Sequence, residues 1–229
     1  MDTTRGRGIE PARFQTTQWN LVRSANDGEA LEALIRIYWK PLYFFVRQHG
    51  HDSETAKDVV QAFLMDLMER GAILKADPSR GRFRTFLRAS MANFLKDGFK
   101  AASRQKRKPG RHALSLDFKR GETDFRLQVA AGETPERALN RAWARSLWED
   151  ALAHLKGEHA HLEALRLYLN EVDTPTIAAK TGLSESAVKV AIHRLKGQLR
   201  DIIVARIRET VGNEKDLEAE IAEFKSLLF

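Results

Sequence analysis

The stretch from Thr174 to Ile203, TPTIAAKTGLSESAVKVAIHRLKGQLRDII, constrains the fold more than any other part of the chain. Thr174 can cap a helix with Pro175 at its first position, where a missing N–H costs nothing. Ile177 and Ala178 give that short helix an apolar side. Gly182 can take the positive φ that a tight turn needs, and Ser184 can cap a second helix. Val188, Ile192, Leu195 and Leu199 then recur at spacings of four, three and four, which is one buried stripe. The other face carries Ser186, Lys189, Val190, His193, Arg194, Gly197 and Arg200. A short helix, a Gly turn, an apolar inner stripe and a basic outer face predict a helix-turn-helix whose second helix can enter a DNA major groove. The plainer alternative is a helical hairpin with a solvated face.

Composition narrows the rest. The chain has 229 residues, 38 Lys or Arg against 31 Asp or Glu, and a formal charge of +7. That excess favours a polyanionic partner. There is no Cys, so disulfides and thiolate metal sites are excluded, which suits a reducing cytoplasm. No apolar run is long enough to span a bilayer and no leader pattern opens the sequence, so no membrane role is expected. Strand-like alternation is scarce, and the expected class is all-α.

Residues 1–13 are polar and predict a disordered lead-in. A short helix is expected over Phe14 to Ala25, with Trp19 and Val22 on one face. A second starts near Glu29, with Leu31, Leu34, Ile35 and Tyr38 inward, and Pro41 should kink or break it. Ser53 to Arg70 predicts a helix that buries Val60, Phe63, Leu64 and Leu67. His49, His51 and Asp52, and later His154, His159 and His161, lack the partners of a metal site, so no metal and no cofactor is expected. From Ser79 to His112 there are eleven Lys or Arg and a single acid, Asp97. Phe83, Phe86, Phe94 and Phe99 are interleaved with them, although the spacing of Phe86, Leu87 and Phe94 fits a core. Cations attract phosphate and aromatic faces stack on unpaired bases, so this segment predicts a second nucleic-acid surface.

Taken in order, these stretches resemble bacterial RNA polymerase sigma factors of the extracytoplasmic-function type. AKDVVQAFLMDLMERG, from Ala56 to Gly71, resembles the D-x-x-Q-x-x-F helix of that family, with Asp58 and Gln61 matching and Leu64 at the usual Phe position beside Phe63. DPSRGRFRTFLRASMANFLKDGFK, from Asp77 to Lys100, resembles its loop and helix that open the minus-ten element. TPERALNRAWARSLWEDALAHL and the helix-turn-helix resemble its reader of the minus-thirty-five element. The resemblance implies a non-enzymatic initiation factor with no catalytic residues, whose partners are core RNA polymerase and promoter DNA. It implies polymerase contacts from Thr55, Asp58, Gln61 and Phe63. It implies minus-ten contacts from Arg80, Arg82, Arg84, Asn93, Lys96 and Lys100, with the loop from Lys75 to Arg82 as a base pocket. Ser184, Ser186, Lys189, Val190, His193, Arg194 and Arg200 become the minus-thirty-five set. Family members usually carry acids where Thr55 and Lys57 stand here. Phosphorylation of Thr55 by a Ser/Thr kinase would therefore restore negative charge, and an anti-sigma protein is the other regulatory partner implied. The alternative is a stand-alone helix-turn-helix regulator. A nuclease or recombinase would need an acidic metal cluster near the basic stretch, and the sequence offers none.

The expected organisation is two small helical domains and a flexible linker. A region-two domain spans 14–107, a linker rich in Pro, Gly and Ser spans 108–133 with at most a short helix near Phe125 to Val129, and a region-four domain spans 134–211. In the last, Thr134 caps a long helix whose stripe is Leu139, Trp143, Leu147 and Ala151. The tail, 212–229, alternates acids with Leu217, Ile221, Phe224 and Leu228. It reads as an amphipathic helix that either packs on its own domain or covers a basic surface.

Overall fold

Tyr43, Phe44, Phe45 and Val46 are consecutive and all buried, so the helix that carries them must be covered on every side. This is α1, Gly28–Gln48. The computed structural model describes residues 28–70, 73, 82–97, 116–130, 132–208, 211 and 214–228. The lead-in 1–13, the helix expected over Phe14 to Ala25, the Asp77 turn, Arg80 and the run from Gly98 to Ser115 lie outside them. Helix α1 continues through Pro41 instead of ending there. The proline removes one backbone donor, but the residues on both sides of it are locked in the core.

After α1 come α2 (Ser53–Glu69), α3 (Phe83–Lys96), α4 (Phe118–Gln128), α5 (Pro135–Ala153), α6 (His159–Leu169), α7 (Thr174–Thr181), α8 (Glu185–Arg208) and α9 (Glu214–Leu228). The described residues are all-helical, with no strand. None of these helices is long and apolar enough to cross a membrane. The predicted stripes of α2, α5 and α8 are buried as expected.

The most extensive helix pair is α1 with α5, which joins the two halves that the composition separates. The buried residues form two clusters. The larger takes in α1, α2, α3, α5, the C-terminal part of α8 from Leu199 to Ile207, and α9. The smaller takes in α6, α7 and the N-terminal part of α8, namely Ala164, Leu165, Leu167, Ile177, Val188, Ile192 and Leu195. The cores therefore divide within α8, not within the expected linker 108–133.

That expected linker holds α4, a full helix packed on α1. Its rings meet Trp39, Tyr43 and Phe44: Phe118 lies 5.2 Å from Trp39 and Phe125 lies 5.4 Å from Phe44, both edge-on. Gly121 permits the approach, because a Cβ there would stand 3.0 Å from the Trp39 ring. Lys40, buried in α1, reaches Asp124 at 2.8 Å. Glu122 accepts from Tyr43 Oη at 2.7 Å, from Arg47 Nε and Nη2 at 2.9 Å each, and from Arg126 at 2.8 Å. Burial pushes the Glu122 carboxyl up, but the bonds from Arg47, Tyr43 and Arg126 outweigh it and hold it at about 2.

A depressed carboxyl stabilises the fold above its unfolded pKa, here 4.5, and that contribution is lost as pH falls toward 2. Glu122→Gln should therefore cost about 3 kcal/mol at pH 7 and only about 1 kcal/mol at pH 3. Urea unfolding of both proteins at the two pH values checks this. A difference that does not shrink on acidification would remove the Glu122 carboxylate as the fastener of α4.

Candidate nucleic-acid interface

Asp173, not Thr174, caps α7. Its carboxylate accepts from the Thr176 amide at 2.8 Å, a bond that holds Asp173 below the usual carboxylate range. Thr174 and Pro175 then occupy the first turn. Gly182 ends α7 with φ 72°, and its N–H donates to Ala178 O at 3.0 Å. A residue with a side chain is strained at that φ, which is why the turn carries Gly. The turn lasts three residues, Gly182 to Ser184. Ser184 then starts α8: its Oγ accepts from the Ala187 amide at 3.2 Å and its carbonyl from the Val188 amide at 2.9 Å. Ile177, Val188 and Leu195 are fully buried between α7, α8 and α6.

This packing fixes which face of α8 remains outside. Ser186, Lys189, Val190, His193, Arg194, Gly197 and Arg200 are all exposed, together with Ser184 in the turn. Val190, apolar, is 68% exposed on this face. Lys189, His193 and Arg200 form no ion pair with any described residue, whereas Arg194 Nη2 lies 3.1 Å from His161 Nδ1 on α6. Lys196 extends the patch, its ammonium 5.0 Å from the Tyr168 ring centroid. The face offers cations for phosphates, a hydroxyl and an imidazole for base edges, and the Val190 methyls for a thymine methyl.

The second predicted surface differs from expectation. Arg80 and Lys100 lie outside the described residues. Asn93 and Lys96 are exposed on α3. Arg84 is not a surface residue: its side chain is 5% exposed. It lies on the buried stripe of α3 with Leu87 and Met91. Its Nη2 is 2.9 Å from Glu220 and 2.6 Å from Glu223, both on α9, and its guanidinium sits 4.4 Å over Trp143 of α5. Arg82, just before α3, pairs with Glu220 at 2.6 Å and with Glu223. In this conformation Arg84 cannot reach DNA and Arg82 is occupied.

The residues expected to touch a polymerase also separate. Asp58 is exposed on α2, and Thr55 and Gln61 are half-buried. Phe63 is 2% exposed and packs edge-on against Phe94 at 5.6 Å. A ring needed by the core is not available to a partner, so Phe63 drops out of that set. Thr55 is engaged as well: its amide and Oγ1 both donate to the cap residue Asp52, at 2.8 and 3.1 Å. A phosphate on Thr55 would stand against that carboxylate, which opposes the charge gain expected of it.

The covering residues Glu220, Glu223 and Asn140 are not singled out by the sequence, whereas Trp143 is buried on its stripe as expected. The signal was present for Glu220. Glu220 falls between Leu217 and Phe224 at spacings of three and four, so it lies on the apolar stripe of α9, just as Arg84 lies on that of α3.

No family model, curated protein or solved structure matches this chain.

Proposed function

We propose that this chain is a transcription initiation factor of the sigma type, which binds core RNA polymerase and directs it to promoters. The observation that carries the reading is the outward face of α8. Its cations and polar groups are exposed along a helix whose entry is set by the Gly182 turn and the Ser184 cap. Its N-terminal half suits a major groove, with Lys189 and Arg194 on phosphates and Ser186, Val190 and His193 toward base edges, and Arg200 extends the phosphate contacts beyond it. Asp58 and Gln61 on α2 are the polymerase contacts we retain, and an anti-sigma protein is the regulatory partner this reading accommodates.

Run-off transcription with core polymerase tests the reading. Promoter-dependent transcripts should require the chain, and Lys189→Ala and Arg194→Ala should each weaken promoter binding by the holoenzyme. Each lost phosphate contact lowers the salt slope by about 1. Core binding by both variants should match wild type. A stand-alone DNA-binding regulator is the second reading, favoured by one observation: Phe63 and Arg84 are interior. Sequence-selective DNA binding without any stimulation of polymerase would select it.

A further inference from the structure

The acidic side of α9 lies on the two arginines that open α3. Glu220 is fully buried. Its Oε2 is shared by Arg82 and Arg84. Glu223 Oε2 pairs with the same two arginines, and its Oε1 accepts from Asn140 Nδ2 at 3.3 Å. Phe224 closes the site from the same helix, its ring edge-on to Trp143 at 6.1 Å. Guanidinium groups take carboxylate and phosphate oxygens with the same forked geometry. Two carboxylates therefore stand where two phosphates could. The cluster is also incompletely satisfied, since Glu220 Oε1 and Arg84 Nη1 are buried with no hydrogen-bond partner. Each buried polar group without a partner costs the docked state free energy, which narrows its advantage over the undocked one.

We infer that α9 is an autoinhibitory helix whose Glu220 and Glu223 occupy Arg82 and Arg84 in place of nucleic-acid phosphates, and which must undock before α3 engages DNA. The inference rests on the proposed DNA-binding reading. With α9 docked, Arg82 and Arg84 are withheld from DNA, while the α8 face and Asn93 and Lys96 of α3 stay open among the described residues. With α9 released, two more cations join them. Affinity through α3 is scaled by the undocked fraction, so a docked state favoured about 100 to 1 weakens it about 100-fold.

Hydrogen exchange of the full wild-type chain, with and without a DNA duplex carrying an unpaired stretch, tests this. Saturating DNA should slow exchange in residues 185–200 and speed it at least about tenfold in residues 214–228. Slower exchange in α8 with α9 unchanged would make α9 a permanent part of the fold and overturn the inference alone. No change in either segment would overturn the DNA-binding reading and the inference with it. Glu223→Gln supplies a second arm, with Glu218→Gln, an exposed acid of the same helix, as the charge-matched control. Glu223→Gln should bind the same DNA about tenfold more tightly, with a salt slope steeper by about 1, and Glu218→Gln should bind as wild type does. Equal affinity in the two folded variants counts against the inference.

Discussion

Glu220→Ala is expected to lower the free energy of unfolding by about 3 kcal/mol, because it leaves the buried Arg84 guanidinium with a single carboxylate partner, Glu223, which Arg82 also holds. Arg84 is covered by Trp143 on one side and by α9 on another, so it cannot turn out to water without opening the larger core. The attraction between the charges is not what makes the loss large. Burial pushes the Glu220 carboxyl above its ordinary range even though Arg84 and Arg82 pull it down, which means that desolvation outweighs the pairing. Replacing both partners should therefore cost far less than replacing one. Arg84→Leu combined with Glu220→Leu is expected to fall within about 1–2 kcal/mol of wild type. Urea unfolding followed by tryptophan fluorescence measures all three proteins. A double variant no more stable than Glu220→Ala would show that the ionic cluster, and not the under-paired Arg84, sets the energy.

Leu195→Ala should cost about 2–5 kcal/mol, the range for emptying a fully buried leucine site, and the loss should be local. Leu195 belongs to the small core of α6, α7 and the first half of α8, which shares no buried residue with the larger one. Amide exchange in residues 159–195 should accelerate while residues 37–46 keep their protection. Equal loss of protection in both segments would mean that the two cores unfold as one cooperative unit.

The elements that were legible in the sequence are those written in local spacing. The stripes of α2, α5 and α8, the Gly182 turn and the Ser184 cap each follow from residues a few positions apart. The cap of α7 lies one residue before the Thr174 that the sequence suggests, because Asp173 and Thr174 are both capping types and only geometry chooses between them. Helix α4 has the local pattern of a linker because it is polar and holds Gly121. Its stability comes from rings and carboxylates meeting α1 across more than seventy positions, which no local pattern records. The same limit misplaced the boundary between the cores, since the packing of α1 on α5 is wholly long-range. Arg84 and Glu220 were legible in principle. Each is a charge standing on an apolar stripe, and two such charges of opposite sign on separate helices are candidates for one another.

Helix α8 is also a lever. It runs for 24 residues without interruption, anchored at one end by Ile203 and Ile207 in the larger core and carrying Lys189 near the other. Ile207 and Lys189 are about 27 Å apart along the axis at the rise of an α-helix. A tilt of about 10° at the anchored end displaces Lys189 by about 5 Å, more than the ~3.4 Å between successive base pairs. On the proposed DNA-binding reading, side chains that never approach nucleic acid therefore set where the outward face lands, and a methyl group lost from the Ile207 seat would be felt as a change of aim.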